Sequence, residues 1–343
     1  MERICILPRL SGVGGMVSFR SRIASGLARQ GVQVCADLAD EPYRAVLVVG
    51  GTRQLLGLWR LRRKGVRIVQ RLDGMNWLHR LRRTSVRHYL RAEYGNFLLR
   101  FIRDRLADRV VYQSQFARGW WERRYGAARA PATVVYNGVD LEEFSPDGPE
   151  KPPQDHYRLL LVEGSLLGGY ELGLEVAVGL VERLNIAHSR QLGKPLELMV
   201  AGRVSPQLQA GWDGHPAAPI RWAGLVPGDR IPALDRSAHL LYSADLNAAC
   251  PNSVIEALAC GLPVLAFATG ALPELVTGAA GRVVPYGGDP WRLEPPDIQA
   301  LGLAASEVLL DQERFRQGAR QRAEAALSLE RAVAGYLSAL LDK

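Results

Sequence analysis

Cys250-Pro-Asn-Ser-Val-Ile-Glu-Ala-Leu-Ala-Cys-Gly-Leu-Pro-Val-Leu-Ala-Phe267, followed by Ala268-Thr-Gly-Ala-Leu-Pro-Glu-Leu-Val276, reads as loop, helix, turn, buried strand and a second helix start. Ser253 with Glu256 three residues on has the spacing of a capping box, in which each side chain bonds an otherwise orphan amide. Cys260-Gly261 closes the helix, because glycine enters the left-handed region without a Cβ clash, and Pro263 just beyond blocks its continuation. Pro273 and Glu274 suit a first helical turn. Proline loses no bond there, and a carboxylate meets the positive end of the helix dipole.

The same alternation runs the length of the chain. Strands are predicted over Arg3–Leu7, Val32–Asp37, Ala45–Val49, Arg67–Arg71, Arg109–Gln113 and Thr133–Tyr136. Helices are predicted between them, such as Met16–Gln30, where Met16, Phe19, Ile23 and Leu27 recur at helical spacing. Ser145–Gln154, rich in proline and charge, reads as a linker. The pattern then restarts, with strands predicted over Arg158–Glu163, Leu196–Ala201, Ile220–Ala223, Ala238–Tyr242, Pro263–Phe267 and Arg282–Val284. Gln312–Leu341 reads as one or two amphipathic helices. Near-continuous apolar strands separated by helices imply parallel sheets covered on both faces. The fold class is therefore α/β: two Rossmann-like, doubly wound parallel-sheet domains in series, with ligands expected in the cleft beyond the carboxyl ends of the strands.

Composition agrees. At 343 residues the chain exceeds what one core organises, and an apolar fraction of 48% is ordinary for a globular protein. Apolar runs such as Leu159–Val162 are too short to span a bilayer. The N-terminus lacks the apolar core of a signal peptide, so a cytoplasmic location is expected, free or peripheral on the inner face of the membrane. Cys5, Cys35, Cys250 and Cys260 have no metal-ligand spacing and read as small buried hydrophobes. The net charge of +8 is concentrated: eleven Arg and Lys residues lie between Arg60 and Arg91, with Asp73 as the only acid. An anionic lipid surface, a nucleic-acid patch and solvated helix faces all fit such a run, but no nucleic-acid motif accompanies it and no nucleic-acid partner is expected.

Arg9-Leu-Ser-Gly-Val-Gly-Gly-Met-Val follows the first strand. Gly12, Gly14 and Gly15 let backbone approach a ligand, and free amides at a helix start favour anions. A strand-to-helix turn needs glycine for its own geometry as well. Gly12-x-Gly14 followed by Asp37 also has part of a dinucleotide fingerprint, which keeps an NAD-dependent oxidoreductase in view. Val17 at the third glycine position counts against it.

Asn252-Ser-Val-Ile-Glu-Ala-Leu-Ala-Cys-Gly-Leu-Pro-Val264 with Gly270-Ala-Leu-Pro-Glu-Leu-Val276 resembles the donor-binding region of retaining glycosyltransferase family 4, the group 1 glycosyl transferases of the GT-B fold. Gly14-Gly15, Gln113-Ser-Gln-Phe116, Val135-Tyr-Asn-Gly-Val-Asp140 and Ala201-Gly202 follow in the family's order. The resemblance implies metal-independent, retaining transfer from a nucleotide-sugar donor, which is a substrate rather than a cofactor. The acceptor it implies is a glycan or a lipid-linked precursor in surface polysaccharide or glycoconjugate synthesis. Glu256 would bind ribose, Asn252, Ser253 and Val254 would offer backbone contacts to phosphate or sugar, and Glu274 would border the donor pocket. Gly14 and Gly15 would lie near the donor phosphates and the acceptor. The chain divides accordingly into an acceptor-side domain over 1–150, a donor domain over 151–328 and a C-terminal helix over 329–343 packing back toward the first domain.

Two departures stand out. The first acid of the family's E-x7-E pair falls on Ala248, and the Arg and Lys after the second domain's first strand are replaced by Glu163-Gly-Ser-Leu-Leu-Gly-Gly-Tyr170. Those cations would balance the leaving diphosphate. Arg203 is the nearest substitute by sequence, with Arg9, Arg20 and Arg22 as others, and Asp73 is the candidate for contact with the reacting sugar or acceptor, against a plain Asp-Gly turn. The departures also motivate a second reading, a catalytically weakened homologue that binds nucleotide or glycan as a partner subunit. His79 and His88 read as surface residues, and Trp77, Trp120 and Trp121 as packing residues, with an acceptor surface as the alternative.

Overall fold

In this computed structural model, alternate residues of each strand serve opposite faces of a sheet. Residues 2–9, 11–12, 14–82, 85–166 and 171–342 are described. The contacts divide the chain into one unit of Met1–Gly138 with Leu329–Lys343, and a second of Val139–Ser328. The expected boundary at residue 150 thus lies inside the second unit.

In the first unit, β1 (Arg3–Leu7), β2 (Gln33–Cys35), β3 (Ala45–Val49), β4 (Arg67–Leu72), β5 (Arg109–Tyr112) and β6 (Ala132–Val134) form a parallel sheet in the order β2-β1-β3-β4-β5-β6. Its helices are α1 (Gly15–Arg29), α2 (Leu55–Arg63), α3 (Val86–Phe101) and α4 (Gln115–Tyr125). Ile4, Ile6, Ala45, Leu47 and Val49 point to one face, against Phe19, Ile23 and Leu27 of α1 and Leu329, Val333, Tyr336 and Leu340 near the C-terminus. Their neighbours Cys5, Leu7, Val46 and Val48 point the other way, onto Leu58 and Leu61 of α2. Both faces are dry, which is why the strands read as continuous apolar runs.

In the second unit, β7 (Tyr157–Ser165), β8 (Leu196–Arg203), β9 (Ile220–Gly224), β10 (Leu240–Ser243), β11 (Val264–Phe267) and β12 (Gly281–Val284) form a parallel sheet in the order β12-β11-β10-β7-β8-β9. The helices are α5 (Glu171–Ala187), α6 (Ser189–Leu192), α7 (Pro206–Trp212), α8 (Ile231–Arg236), α9 (Asn252–Ala259), α10 (Leu272–Leu275), α11 (Ile298–Leu310) and α12 (Gln312–Ala326). Leu159, Leu161, Leu198, Val200, Leu240 and Leu265 share one core with buried residues of α5 and α11. α9 packs on β10 and β11 from the opposite face and carries α12 on its outer side. The C-terminal stretch is thus two helices. α12 belongs to the second unit, while α13 (Leu329–Leu341) completes the core of the first.

Each sheet reverses its direction of growth once. The switch falls between β1 and β3 in the first sheet and between β7 and β10 in the second. The carboxyl ends of those strands are where an open α/β sheet leaves a crevice for ligand.

Candidate functional site

At the second switch point, β7 delivers Glu163 and the turn after β10 delivers Asp245. Burial and the charge of Asp245 beside it push the Glu163 carboxyl well up from its ordinary range. Burial raises Asp245 to about 6. The sequence does not mark either acid as a functional residue, since nothing in the local pattern shows that two chain-distant carboxyls come to adjacent strand ends. Arg203 ends β8, and its side chain is exposed. Gly202 explains the Ala-Gly pair: at φ +145°, a Cβ there would lie 2.1 Å from the Glu163 carbonyl oxygen. Only glycine lets β7 and β8 approach so closely beside the acid pair.

α9 begins at Asn252 with Pro251 as its N-cap and no side-chain capping bond. The expected capping box is therefore absent. Ser253 and Glu256 both lie inside the helix, two residues deeper than the cap positions that a capping box needs. By helix geometry the amides of the first turn, those of Ser253 and Val254 among them, have no carbonyl partner within the helix. Glu256 is buried among neighbours that include Asp235 of α8, whose carboxyl is pushed well up, first by burial and then by the Glu256 charge.

Ala248 is buried and structurally fixed. Its carbonyl accepts from Ala271 N–H at 2.8 Å, and a Cβ on Gly270 (φ +59°) would stand 2.5 Å from its backbone nitrogen and oxygen. No carboxylate stands at that position. Pro273 and Glu274 lie in the short α10, where Glu274 is half-buried and its carbonyl accepts from Arg322 at 2.6 Å. Residues 167–170 of the segment that departs from the family lie outside the described residues, as do Leu10 and Val13 of the first loop.

In the first unit, Gly14 caps α1 at φ +149°, a conformation that favours glycine, and Gly15 opens the helix. Asp37 pairs with Arg9 at 3.4 Å and accepts from Ala39 N–H at 3.0 Å, so its carboxylate is engaged locally. Asp73 follows β4. Its carboxyl is raised by burial, an effect that the Arg71 charge partly offsets. Its backbone is clamped: Trp121 Nε1 donates to the Asp73 carbonyl at 2.7 Å, and a Cβ on Gly74 would meet the Trp120 ring at 2.7 Å. Trp121 is a fully buried packing residue. Two of the motif stretches meet at Arg71. Buried Arg71 donates to Asn137 Oδ1 at 3.0 Å, and Asn137 donates to Gln113 Oε1 at 3.2 Å. His79 differs from expectation. It is buried, 2.7 Å from Glu93 and edge-on to Tyr89, because α3 folds over it, whereas His88 is exposed.

Residues 164–309 match the family described as Glycosyl transferases group 1, and residues 39–143 match Glycosyltransferase Family 4. The chain is 30% identical over 255 residues to the D-inositol 3-phosphate glycosyltransferase of Salinispora arenicola, covering 67% of this chain and 54% of the relative. It thus spans about half the length of that relative. Sucrose-phosphate synthase from Thermosynechococcus elongatus has a TM-score of 0.72 at 15% identity, covering 98% of this chain and 97% of that one. HepE from Anabaena, solved with UDP and glucose, has a TM-score of 0.69 at 15% identity, covering 99% of each chain. At such identities the likeness is one of fold, and the fold is GT-B. The two family matches lie one in each unit apart from a few residues past Gly138, and together they take in most of the chain. The chain belongs to the group 1 glycosyl transferases, family 4.

Proposed function

We propose that the protein transfers a sugar, with retention and without a protein-bound metal, from a nucleotide-sugar donor to a glycan or lipid-linked acceptor in surface polysaccharide or glycoconjugate synthesis. What supports this reading is that β7 and β10 flank the switch point of the second sheet and that α9, the next helix after β10, packs on β10 and β11. Amides at the start of α9 suit a diphosphate, since an N-terminus concentrates donors and positive dipole charge. Asn252, Ser253 and Val254 supply those contacts, Glu256 accepts from ribose hydroxyls, and Glu274 borders the nucleotide. That the Anabaena relative was solved with UDP and glucose supports a donor of this chemistry.

In this reading the sugar–phosphate bond breaks and the acceptor oxygen bonds to the same face of the anomeric carbon. The acceptor proton passes to the departing phosphate. Asp73 contacts the reacting sugar or acceptor, Gly14 and Gly15 let backbone approach the phosphates, and Arg203 offsets their growing charge. The protein works at the inner face of an anionic membrane or in the cytoplasm beside it.

Calorimetry with a panel of nucleoside diphosphates and their sugars tests the reading. Wild type should bind at least one, and Glu256→Ala should weaken it by about tenfold or more, the worth of a charge-assisted hydrogen bond. Lack of binding across the panel would defeat it. A buried Ala248 without a carboxylate favours the second reading, a partner subunit that binds but does not turn over. Donor binding with no transfer under any acceptor would select that one.

A further inference from the structure

Near its carboxyl end β4 carries a buried cation with no anion bonded to it. Arg71 is 2% exposed, and Nη2 donates to Asn137 Oδ1 at 3.0 Å. Nε and Nη1 are enclosed and have no hydrogen-bond partner among the described residues. The guanidinium lies 3.7 Å from the ring centroid of Phe19 in α1, which covers its face. Taking a charge out of water is costly, and a protein core ordinarily matches it with a carboxylate. Here two buried amides hold it instead, since Asn137 in turn donates to Gln113 Oε1 at 3.2 Å. Such a pair fixes the place of the charge without neutralising it. Gln113 and Asn137 come from two of the family-order stretches, and neither has a part in the proposed donor contacts.

The charge has a recipient two residues further on. Side chains alternate along a strand. Val69 and Arg71 meet Phe19 of α1, whereas Leu72 joins Trp121 and Tyr112 on the other face. By the same alternation Asp73 continues the Arg71 side, with its backbone carbonyl held by Trp121. Burial pushes the Asp73 carboxyl up, and Arg71 is the charged group that acts against it. Arg20 and Arg22 of α1 add nothing to that balance, nor do Arg118, Glu122, Arg123 and Arg124 of α4, of which Arg118 and Glu122 pair with one another at 2.8 Å. Inside a protein a charge acts across a gap that water would screen.

A carboxylate accepts a stronger hydrogen bond from a hydroxyl than a neutral acid does. We propose that Arg71 is a positioning residue: its buried charge, fixed by Asn137 and Gln113, keeps Asp73 anionic to accept from a hydroxyl of the reacting sugar or acceptor. Arg71 itself touches no substrate, since its free N–H groups are enclosed. The role in transfer rests on the reading of Asp73 as a substrate contact, whereas the charge on Asp73 is measurable without any substrate.

Carbon-13 NMR of the side-chain carboxyls in the unliganded full chain tests it, with the Asp73 signal assigned from Asp73→Asn. Arg71→Met and Arg71→Gln should each move the Asp73 titration to higher pH. Arg71→Lys keeps the charge and should leave the titration near its wild-type position. In transfer assays Arg71→Met should lower kcat about tenfold near neutral pH and recover toward wild type as pH rises, while donor affinity stays within about twofold. Circular dichroism confirms that each variant is folded, and Arg71→Gln, which keeps an amide for Asn137, decides the matter if Arg71→Met does not fold. The proposal is overturned if Asp73 titrates alike in wild type and the neutral variants. It is overturned equally if kcat falls by the same factor at every pH, as loss of packing alone would give. Should wild type turn over no donor, the sugar-transfer reading fails, and the NMR titration still decides whether Arg71 sets the charge on Asp73.

Discussion

Asp245→Asn should stabilise the unliganded protein, and only above the pH at which Asp245 ionises. In the native chain the Asp245 carboxyl titrates at about 6, against an ordinary value of 3.8. Between those values the folded state holds a proton that the unfolded chain has released, so unfolding becomes easier as pH rises through the window. The full shift is worth about 3 kcal/mol at neutral pH, and partial exposure of the side chain brings the expected cost to about 1–2 kcal/mol. An amide removes that cost and keeps the shape of the group. For a unit of this size, the apparent Tm near pH 7.5 should rise by about 3–6 °C, with no gain near pH 4. Glu163→Gln should act in the same direction, because the charge of Asp245 is part of what raises Glu163. Thermal unfolding of wild type and both variants across the pH range is the assay. A stabilisation that is equal at acid and neutral pH, or a loss of stability at neutral pH, would refute the account of the acid pair.

Gly202→Ala should cost about 3 kcal/mol or more, since its Cβ cannot coexist with the Glu163 carbonyl at 2.1 Å. Gly211→Ala, in α7 with nothing within 4 Å of its Cβ, should be neutral or slightly stabilising, and chemical denaturation of the two variants side by side checks the contrast. Trp121→Phe should lose about 2–3 kcal/mol from the vacated volume and the unpaired Asp73 carbonyl. If Asp73 contacts the substrate, the same variant should lower kcat more than it changes donor affinity, which steady-state kinetics beside calorimetry would separate.

Hydrophobic alternation carried most of the fold. β1 and β3 lie where the sequence reading puts them, because buried parallel strands are apolar on both faces and leave no ambiguity about which residues belong. Strand ends were less legible. β7 runs on to Ser165 past Glu163, since its last residues are polar and their pairing with β8 depends on Gly202. The helix start at Asn252 was legible in kind but not in detail: a serine and a glutamate at capping spacing lie two residues further in, because Pro251 takes the cap position. His79 was misread for a related reason. Its basic neighbours suggest solvent, and only the fold of α3 over it supplies Glu93 and Tyr89. The acid pair at the second switch point, and the bond from Arg71 to Asn137, depend on which distant elements meet. Local pattern has no access to that.

In the proposed reaction the carboxyl side of the second sheet holds a nucleotide sugar and releases its sugar to an acceptor. Proton NMR of each candidate donor, incubated with the protein and a glycan acceptor, follows the anomeric signal directly. One donor should be consumed, and a new glycoside should appear with the donor's anomeric configuration. Its rate should collapse in Glu256→Ala. A product of inverted configuration, or no change in any donor while none binds, would contradict it.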